Sequence, residues 1–236
     1  MITKKTDSNL QFDFEKGESI LFDKPINWSS FKAIHHIRKI IGVKKVGHAG
    51  TLDPKATGLL IVCTGKKTKE ITKYQDLPKV YTGTFTLGKT TTTMDSEGEI
   101  ITEQDCSFLN DDLIIEASKK FLGETDQIPP MYSAINYGGK KLYELARKGK
   151  TVVREPRKIN ISTFEIIKIE LPEVHFKIQC SKGTYIRVIA DDFGKLLRCG
   201  AYLSSLRRTM IGDYSVEDAF EPREFKDFLT NHLQRE

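Results

Sequence analysis

A single carboxylate, Asp53, lies in the stretch from Gly47 to Lys69, GHAGTLDPKATGLLIVCTGKKTK, among basic and hydroxyl-bearing residues. It occupies a Leu-Asp-Pro corner between two glycine-rich turns, five positions after His48. An ionised carboxylate on a fixed backbone can act as a nucleophile, and its reference pKa of about 3.9 leaves it charged at neutral pH. An aspartate in a turn can instead bond only to its own backbone, so the spacing leaves both roles open.

Two other kinds of site are excluded by residue spacing. The segment TGKKT is similar to a phosphate-binding loop, but the glycine that precedes Gly65 is Gly58, which is too distant, and Lys67 stands where Ser or Thr is required. The histidines form no H-E-x-x-H pattern, and the cysteines are widely spaced at Cys63, Cys106, Cys180 and Cys199. We therefore predict neither an ATP site nor a metal site, and thiols that stay free in a reducing cytosol.

The elements that must position Asp53 are read from periodicity and capping residues. Strands are predicted at 18–25, 59–65 and 79–88, and two alternating strands fill 157–171 and 173–183. Helices are predicted from Ser29 and Ser30 to Gly42, with Phe31, Ile34, Ile37 and Ile41 on the apolar side, and at 111–123, 141–148 and 186–197. Because strands and helices mix without strict alternation, the fold class is α+β. We expect a mixed, mostly antiparallel central sheet flanked by helices.

A basic segment interrupts these elements at 129–158, where eight Lys or Arg residues face two Glu residues. Its Pro-Pro start and Gly-Gly pair predict an exposed clamp that becomes ordered on binding a partner. The domain prediction is a polar N-terminal segment at 1–18, a catalytic domain at 19–215 with this insertion, and a short tail at 216–236.

Composition is typical of a soluble globular protein: 236 residues, of which 39% are hydrophobic and 29% charged. The net charge of +5 is compatible with a polyanionic partner. The N-terminus lacks the apolar core of a signal peptide, and no run approaches the roughly 20 apolar residues that span a bilayer. We expect a cytoplasmic protein without a membrane partner.

Several stretches together resemble the TruB-type tRNA pseudouridine synthases. HAGTLDPKATGLL is similar to the family's catalytic motif, and DKPINWSSF to its opening motif. KVYTGTFTLGKTTTTMDSEG is similar to its tyrosine-bearing strand and loop, and CSKGTYIRVIADDFGK to its Gly-Thr-Tyr-Ile-Arg motif. PPMYSA and YELARKG resemble its RNA-gripping insertion, and LRRT its late core segment. The resemblance runs from about residue 19 to residue 215.

The resemblance implies catalytic roles for Asp53, Arg187 and Tyr81. Asp53 would be the carboxylate that isomerises uridine to pseudouridine, Arg187 the cation that pairs with it, and Tyr81 the ring that stacks on the target base. The bond from C1′ to N1 breaks, the uracil turns, and C5 bonds to C1′, so no cofactor is needed. Attack of the aspartate on C1′ and abstraction of a ribose proton to give a glycal both remain open.

The resemblance also implies a tRNA partner, gripped at its T arm, with the uridine at position 55 as the target. The target nucleotide must be flipped out of its stack to expose the glycosidic bond, and His48 would take the place of that nucleotide. Lys24 and Lys69 are expected to contact either a phosphate or a protein loop, and Asp95 either to contact the displaced RNA or to order its own loop. Tyr185 and Leu206 are expected to line the base pocket. In the insertion, the residues expected to contact the RNA are Tyr132, Lys140, Arg147 and Arg154.

Departures from the family pattern concern RNA contacts rather than Asp53. Asn27 replaces a glycine, Asn136 a lysine, and Thr92 a common aspartate. Asn tolerates left-handed backbone angles, so the turn at Asn27 can survive. Only 22 residues follow Tyr214, so we expect no C-terminal PUA domain, and a monomer that grips tRNA with the catalytic domain alone. The alternative is a non-catalytic RNA-binding or tRNA-folding module, which would not need Asp53 and Arg187.

Overall fold

A computed structural model describes residues 1–7 and 9–233. The strands, in chain order, are β1 (Ser19–Lys24), β2 (Val46–His48), β3 (Ala56–Thr64), β4 (Lys79–Leu87), β5 (Lys89–Thr91), β6 (Ile100–Glu103), β7 (Gly123–Gln127), β8 (Asn136–Tyr137), β9 (Lys140–Lys141), β10 (Arg157–Glu170), β11 (Glu173–Cys180), β12 (Ala201–Ile211) and β13 (Tyr214–Ser215). The helices are α1 (Ser30–Ile41), α2 (Ile71–Asp76), α3 (Asp111–Lys119), α4 (Leu142–Ala146), α5 (Ile186–Leu196) and α6 (Pro222–Leu233). None of these helices is long and apolar enough to cross a membrane.

The chain forms two compact units, whose boundaries fall within β4 and β12. The first unit comprises residues 1–82 and the chain from Leu206 onward, and the second comprises residues 83–205. Strand order is β1-β3-β12-β4 in the first unit and β12-β4-β11-β10-β7 in the second. β3 and β12 pair in parallel, whereas β3 with β1, β3 with β2, β10 with β11 and β10 with β7 are antiparallel. The predicted α+β class with a mixed, mostly antiparallel sheet is confirmed.

The core of the first unit explains the unbroken apolar run in β3. Leu60 and Val62 pack on one face with Phe22, Ile37 of α1 and Phe225 of α6. The alternating residues of β3, which are Leu59, Ile61 and Cys63, belong to a second cluster on the opposite face. Leu21, Ile211 and Val216 are also part of that cluster. Because both faces of β3 are covered, alternation of apolar and polar residues is absent from its sequence.

The core of the second unit is a cluster of aromatic rings. Phe85 of β4 lies 4.2 Å from Phe176 of β11 and 5.6 Å from Phe193 of α5, measured between ring centroids. Phe164 of β10 and Phe121, which follows α3, pack edge-on at 5.8 Å. Tilted and edge-to-face rings at these separations are favourable beyond the area that they bury. The cluster therefore joins two helical segments to three strands of this unit.

Helix α1 confirms the predicted caps and corrects the predicted apolar face. The Ser29 hydroxyl accepts a hydrogen bond from the Lys32 amide at 3.0 Å, and Gly42 ends the helix in the left-handed conformation at φ 70°. The placement of Phe31 on the apolar face was wrong, since its side chain is 75% exposed. The buried face instead includes Ser30, at i−4 from Ile34, because the hydroxyl of Ser30 bonds to a buried backbone.

Helix α3 begins as predicted but ends earlier. The Asn110 side chain caps it by accepting from the Leu113 amide at 2.9 Å. The helix stops at Lys119, and Gly123, which was predicted to end it, is the first residue of β7. Residues 120–122 form the intervening turn, since the amides of Lys120 and Phe121 bond to carbonyls three residues back.

Replacing Phe176 with alanine is expected to lower the free energy of unfolding by about 3–5 kcal/mol, since its fully buried ring would leave a cavity among the other aromatic rings. The matched control is Phe31→Ala, which removes an exposed ring and should change stability by less than about 0.5 kcal/mol. Urea unfolding of both variants measures the difference. Equal losses would contradict the core position of Phe176.

Candidate functional site

The loop that carries Asp53 joins β2 to β3 in the first unit. The two strands pair antiparallel, with His48 opposite Val62, so the loop is short and closed at its base. The Ala56 amide donates to the Asp53 carbonyl at 3.1 Å, which makes the Leu-Asp-Pro corner a turn. Asp53 itself is half-buried. We call residues 49–55 the aspartate loop.

Three further hydrogen-bond partners hold the aspartate loop at alternate residues. Arg208 donates through Nη2 to the Gly50 carbonyl at 3.1 Å. The Ser30 hydroxyl accepts from the Leu52 amide at 2.9 Å and donates to the Leu52 carbonyl at 3.0 Å. The Asn27 amide donates to the Pro54 carbonyl at 2.8 Å, and Asn27 has the left-handed φ of 62° that its residue type tolerates. The loop backbone is thus fixed before and after Asp53.

Arg208 is a site residue that the sequence did not single out. Its side chain is 1% exposed, and its Nε donates to the Leu59 carbonyl at 2.8 Å. Gly58 pairs with it across the parallel β3–β12 ladder, and a Cβ on Gly58 would lie 2.3 Å from the Arg208 carbonyl oxygen. Only glycine fits there, at a φ of 105°. The available signal was the Arg-Arg pair in the LRRT segment, for which no strand was predicted; in the strand that the structure shows, adjacent residues point to opposite faces.

The other arginine of this pair, Arg207, binds Asp23 of the DKP motif. Two hydrogen bonds join the groups, from Nη1 to Oδ1 at 3.1 Å and from Nη2 to Oδ2 at 2.6 Å. Such forked pairing fixes geometry as well as supplying energy. It links β12 to β1, the strand that leads into α1.

His48 is held as a neutral imidazole. Burial, and secondarily the positive charge of Arg208, lower the pKa of His48 below its ordinary value. Its Nδ1 is buried and has no hydrogen-bond partner among the described residues. The lowered pKa therefore favours the uncharged ring at pH 7.

Tyr81 and Leu206 also lie in the first unit. Tyr81 is on β4 and is 9% exposed, and Leu206 is half-buried, in register with Ala56 three residues after Asp53. The structure thus brings Leu206 next to the base of the aspartate loop.

The two lysines of the first unit differ in accessibility. Lys69 is exposed, but Lys24 is fully buried. The Lys24 ammonium donates to the Trp28 carbonyl at 2.6 Å and to the Pro25 carbonyl at 3.1 Å. Of the two roles expected for Lys24, its geometry supports the loop contact and leaves no exposed ammonium for a phosphate.

In the second unit, Asp95 and Arg187 form a buried ion pair. Both side chains are less than 10% exposed, and Arg187 Nη1 lies 3.2 Å from Asp95 Oδ2. Asp95 Oδ1 accepts from the Glu97 amide at 3.0 Å and from the Thr93 hydroxyl, so the carboxylate orders its own loop. Arg187 also donates to the Tyr132 carbonyl. Of the two roles expected for Asp95, loop ordering is the one that these contacts support.

Tyr185 is fixed through its backbone by Gln127, another residue that the sequence did not single out. The side-chain amide of Gln127 accepts from the Tyr185 amide at 2.8 Å and donates to the Tyr185 carbonyl at 3.1 Å. Gln127 ends β7 and is 6% exposed, so a buried side chain holds the start of α5. The Arg187 guanidinium lies 6.0 Å from the Tyr185 ring centroid, within cation–π range.

The basic insertion folds as a hairpin followed by a short helix. β8 and β9 pair across the Gly138-Gly139 turn, and α4 follows with Leu142 buried. Lys140 and Arg147 are exposed, and the Arg147 guanidinium lies 5.5 Å from the Tyr143 ring centroid. Tyr132 is 37% exposed, and Arg154 is half-buried. Exposed cations together with the partly exposed ring of Tyr132 are suited to contacts with the phosphates and bases of a nucleic acid.

Within residues 1–7 and 9–233, no three His, Cys, Asp or Glu side chains are grouped so that they could hold a metal ion. What the arrangement can offer chemically in the first unit is an aspartate on a hydrogen-bonded loop, which follows a histidine whose pKa is lowered. In the second unit it offers a buried arginine already bonded to a carboxylate and a carbonyl.

Comparison with known proteins identifies the family of this chain. The model described as TruB family pseudouridylate synthase (N terminal domain) matches residues 38–186, and the model described as tRNA pseudouridylate synthase B C-terminal domain matches residues 187–236. The tRNA pseudouridine synthase B of Flavobacterium johnsoniae is 48% identical over 224 residues, covering 92% of this chain and 98% of that protein. That of Chlorobaculum tepidum is 50% identical over 221 residues, covering 92% of each.

Solved structures share the fold. A Cbf5–Nop10–Gar1 complex contains a chain with a TM-score of 0.73 and 28% identity, covering 94% of this chain and 57% of that one. An H/ACA ribonucleoprotein bound to a substrate RNA containing 2′-deoxyuridine gives a TM-score of 0.69 at 25% identity, covering 94% and 56%. This chain therefore spans little more than half of those two chains. With family models that together match residues 38–236, the chain belongs to the TruB family of pseudouridylate synthases.

Proposed function

We propose that this protein isomerises uridine to pseudouridine in the T arm of tRNA, at position 55. Its membership of the TruB family supports the reaction, and its relatives carry the name tRNA pseudouridine synthase B. The observation that carries the proposal is the aspartate loop, because three separate partners fix the backbone around one ionisable carboxylate. A turn-capping aspartate would not require such support from α1, β12 and the DKP segment.

The proposed reaction uses Asp53 at the ribose of a flipped nucleotide. The C1′–N1 bond breaks, the uracil rotates while it is held, and C5 bonds to C1′. C5 then loses its proton, and N1, which is no longer bonded to C1′, gains one. Atoms and electrons balance within the nucleotide, so no redox partner or hydrolytic water is consumed. Asp53 assists either by adding to C1′ or by accepting a ribose proton, and in both cases it must be ionised. Arg187 is proposed to supply positive charge for catalysis, and Tyr81 to stack on the base.

Flipping the target nucleotide costs a few kcal/mol, which contacts in the site must offset. We propose that His48 fills the vacated position as a neutral ring, and that Leu206 and Tyr185 contact the uracil. A neutral imidazole can enter the stack without the desolvation cost of a charge, which fits the lowered pKa of His48.

The insertion is proposed to grip the RNA backbone. Lys140, Arg147 and Arg154 would contact phosphates, and Tyr132 would pack on the RNA, with Lys69 as a further phosphate contact on the first unit. Phosphate contacts of this kind position the substrate, whereas the fixed site selects the nucleotide. We propose that the enzyme acts as a monomer in the cytoplasm, where the free thiols at Cys63, Cys106, Cys180 and Cys199 would remain reduced.

Asp53→Asn should abolish isomerisation while tRNA binding persists, since the amide keeps the shape of the side chain but lacks the charge. The assay is single-nucleotide mapping of pseudouridine in an unmodified tRNA transcript, together with release of label from C5 of uridine. Asp213→Asn, an exposed aspartate of the same unit, is the matched control and should keep full activity. Activity of the Asp53 variant at the wild-type rate would refute the catalytic role of Asp53, whereas tRNA binding without isomerisation by the wild type would favour the RNA-binding or RNA-folding alternative.

Lys140→Gln and Arg147→Gln should each weaken tRNA binding and leave the rate constant of bound tRNA nearly unchanged. Each lost phosphate contact reduces the slope of log K against log salt concentration by about 0.7–0.9. Lys120→Gln, an exposed lysine after α3 in the same unit, serves as the control for loss of one charge. A salt slope that is equal for all three variants and the wild type would show that Lys140 and Arg147 make no phosphate contact.

Acidification should destabilise the fold through His48. Because its pKa is lowered in the folded state, the stability contributed by its neutral form is present above the ordinary pKa of about 6.5 and is lost as pH falls below that value. The free energy of unfolding should therefore fall between pH 7 and pH 5 by more in the wild type than in His48→Gln. Urea unfolding at each pH measures it, with His35→Gln at an exposed position as the control. Parallel curves for the wild type and His48→Gln would contradict a lowered pKa of His48 in the folded state.

A further inference from the structure

We propose that Ser30 is a positioning residue for catalysis, which orients Asp53 by holding the backbone of Leu52. The inference rests on the proposed function, in which Asp53 is the catalytic carboxylate. Ser30 does not touch the reacting atoms in this account. Its hydroxyl acts through the peptide groups that precede the aspartate.

One hydroxyl holds two consecutive peptide groups. The Leu52 amide belongs to the peptide plane between Thr51 and Leu52, and the Leu52 carbonyl belongs to the plane between Leu52 and Asp53. Ser30 Oγ accepts from the first at 2.9 Å and donates to the second at 3.0 Å. Since peptide groups are planar, fixing both planes fixes φ and ψ of Leu52 and hence the direction in which the Asp53 chain continues.

Burial makes this tether hard to replace. Ser30 is 2% exposed and Leu52 is 4% exposed, so water is largely excluded from both partners. A buried amide and a buried carbonyl without partners are unfavourable, so the loop would move to find others. Such a move would carry Asp53 with it, since the two residues share a peptide plane.

The other tethers act farther along the chain from this plane. Arg208 holds the Gly50 carbonyl at 3.1 Å, and the Asn27 amide holds the Pro54 carbonyl at 2.8 Å. Ser30 therefore controls the middle of the aspartate loop, whereas these two control its ends. The two hydrogen bonds of Ser30 come from a side chain on α1. A substitution of Ser30 can therefore remove them without altering the sequence of the aspartate loop.

Helix α1 gives Ser30 a rigid base. Ser30 is its first residue, and Ala33 and Ile37 on the same helix are fully buried against the core of the first unit. A group on a packed helix is held more accurately than one on a loop. The packed helix thereby fixes the position of the Ser30 hydroxyl, and through it the backbone of a loop that has little regular structure of its own.

Ser29 provides a matched control for the loss of one hydroxyl at the same turn. Its Oγ accepts from the Lys32 amide at 3.0 Å and so caps α1. Ser29→Ala should lower the melting temperature through the helix, with kcat and the Kd for tRNA within twofold of the wild type.

The test compares Ser30→Ala, Ser30→Cys and Ser29→Ala with the wild type, by single-turnover pseudouridine formation in unmodified tRNA, the Kd for tRNA, and the melting temperature. Ser30→Ala should lose about 10–100-fold in rate with Kd within twofold, because a small displacement of a catalytic group is costly while the RNA contacts are unchanged. Ser30→Cys, whose thiol is a weaker donor and acceptor, should give an intermediate rate. If Ser30→Ala does not fold, Ser30→Cys carries the test and should lose at least about threefold in rate.

A wild-type rate in the folded Ser30 variants, or a rate loss matched by Ser29→Ala, would overturn the inference. Asp53→Asn, measured in the same series, distinguishes the positioning role of Ser30 from the catalytic role of Asp53. An inactive Asp53 variant beside fully active Ser30 variants would refute only the role of Ser30. An active Asp53 variant would refute the proposed catalytic role of Asp53, on which the inference rests.

Discussion

The first unit depends on the buried guanidinium of Arg208. Arg208 has its guanidinium almost fully withdrawn from water, which is favourable only if its donors find acceptors. The acceptors are backbone carbonyls, at Leu59 inside β3 and at Gly50 in the aspartate loop. Satisfying this side chain therefore pins the loop to the strand beside it. The same charge contributes to the lowered pKa of His48, so a structural need and the electrostatics of the loop are met by a single residue.

A reaction without a cofactor makes strong demands on position. No bound group supplies chemistry in the proposed mechanism, so the rate depends on how well the aspartate and the nucleotide are aligned. The first unit places its hydrogen bonds accordingly, at residues 50, 52 and 54 around the carboxylate. The second unit is built differently. Asp95 and Arg187 form a buried ion pair that orders a loop, and the insertion carries exposed cations.

The sequence predicted the elements well where a helix cap or a backbone conformation depends on residues that are close in the chain. The Ser29 cap, the Gly42 end of α1 and the left-handed Asn27 are all of this kind. Prediction failed where a distant backbone decides. Phe31 looks more suited to a core than Ser30, yet the serine is buried because Leu52 offers it a donor and an acceptor.

The same reason limits what the sequence reveals about the site. Asp53 stands out because its own loop is dense in glycine and proline, whereas Arg208 and Gln127 act on carbonyls and amides far along the chain. Lys24 shows the reverse case, since its type suggests a solvent-facing charge but nearby carbonyls enclose it. Tertiary hydrogen bonds to the backbone leave little trace in residue type, and these are the contacts that shape the site.

The neighbouring arginines of β12 also protect the fold against misalignment. Arg207 faces Asp23, and Arg208 faces the carbonyls of Gly50 and Leu59, on opposite sides of one strand. A slip of β12 by a single residue would exchange these sides, leaving one guanidinium in the interior without its acceptors and one carboxylate without its cation. Competing strand alignments are thus penalised by charge as well as by packing, so the unit that carries the aspartate loop has one strongly favoured way to assemble.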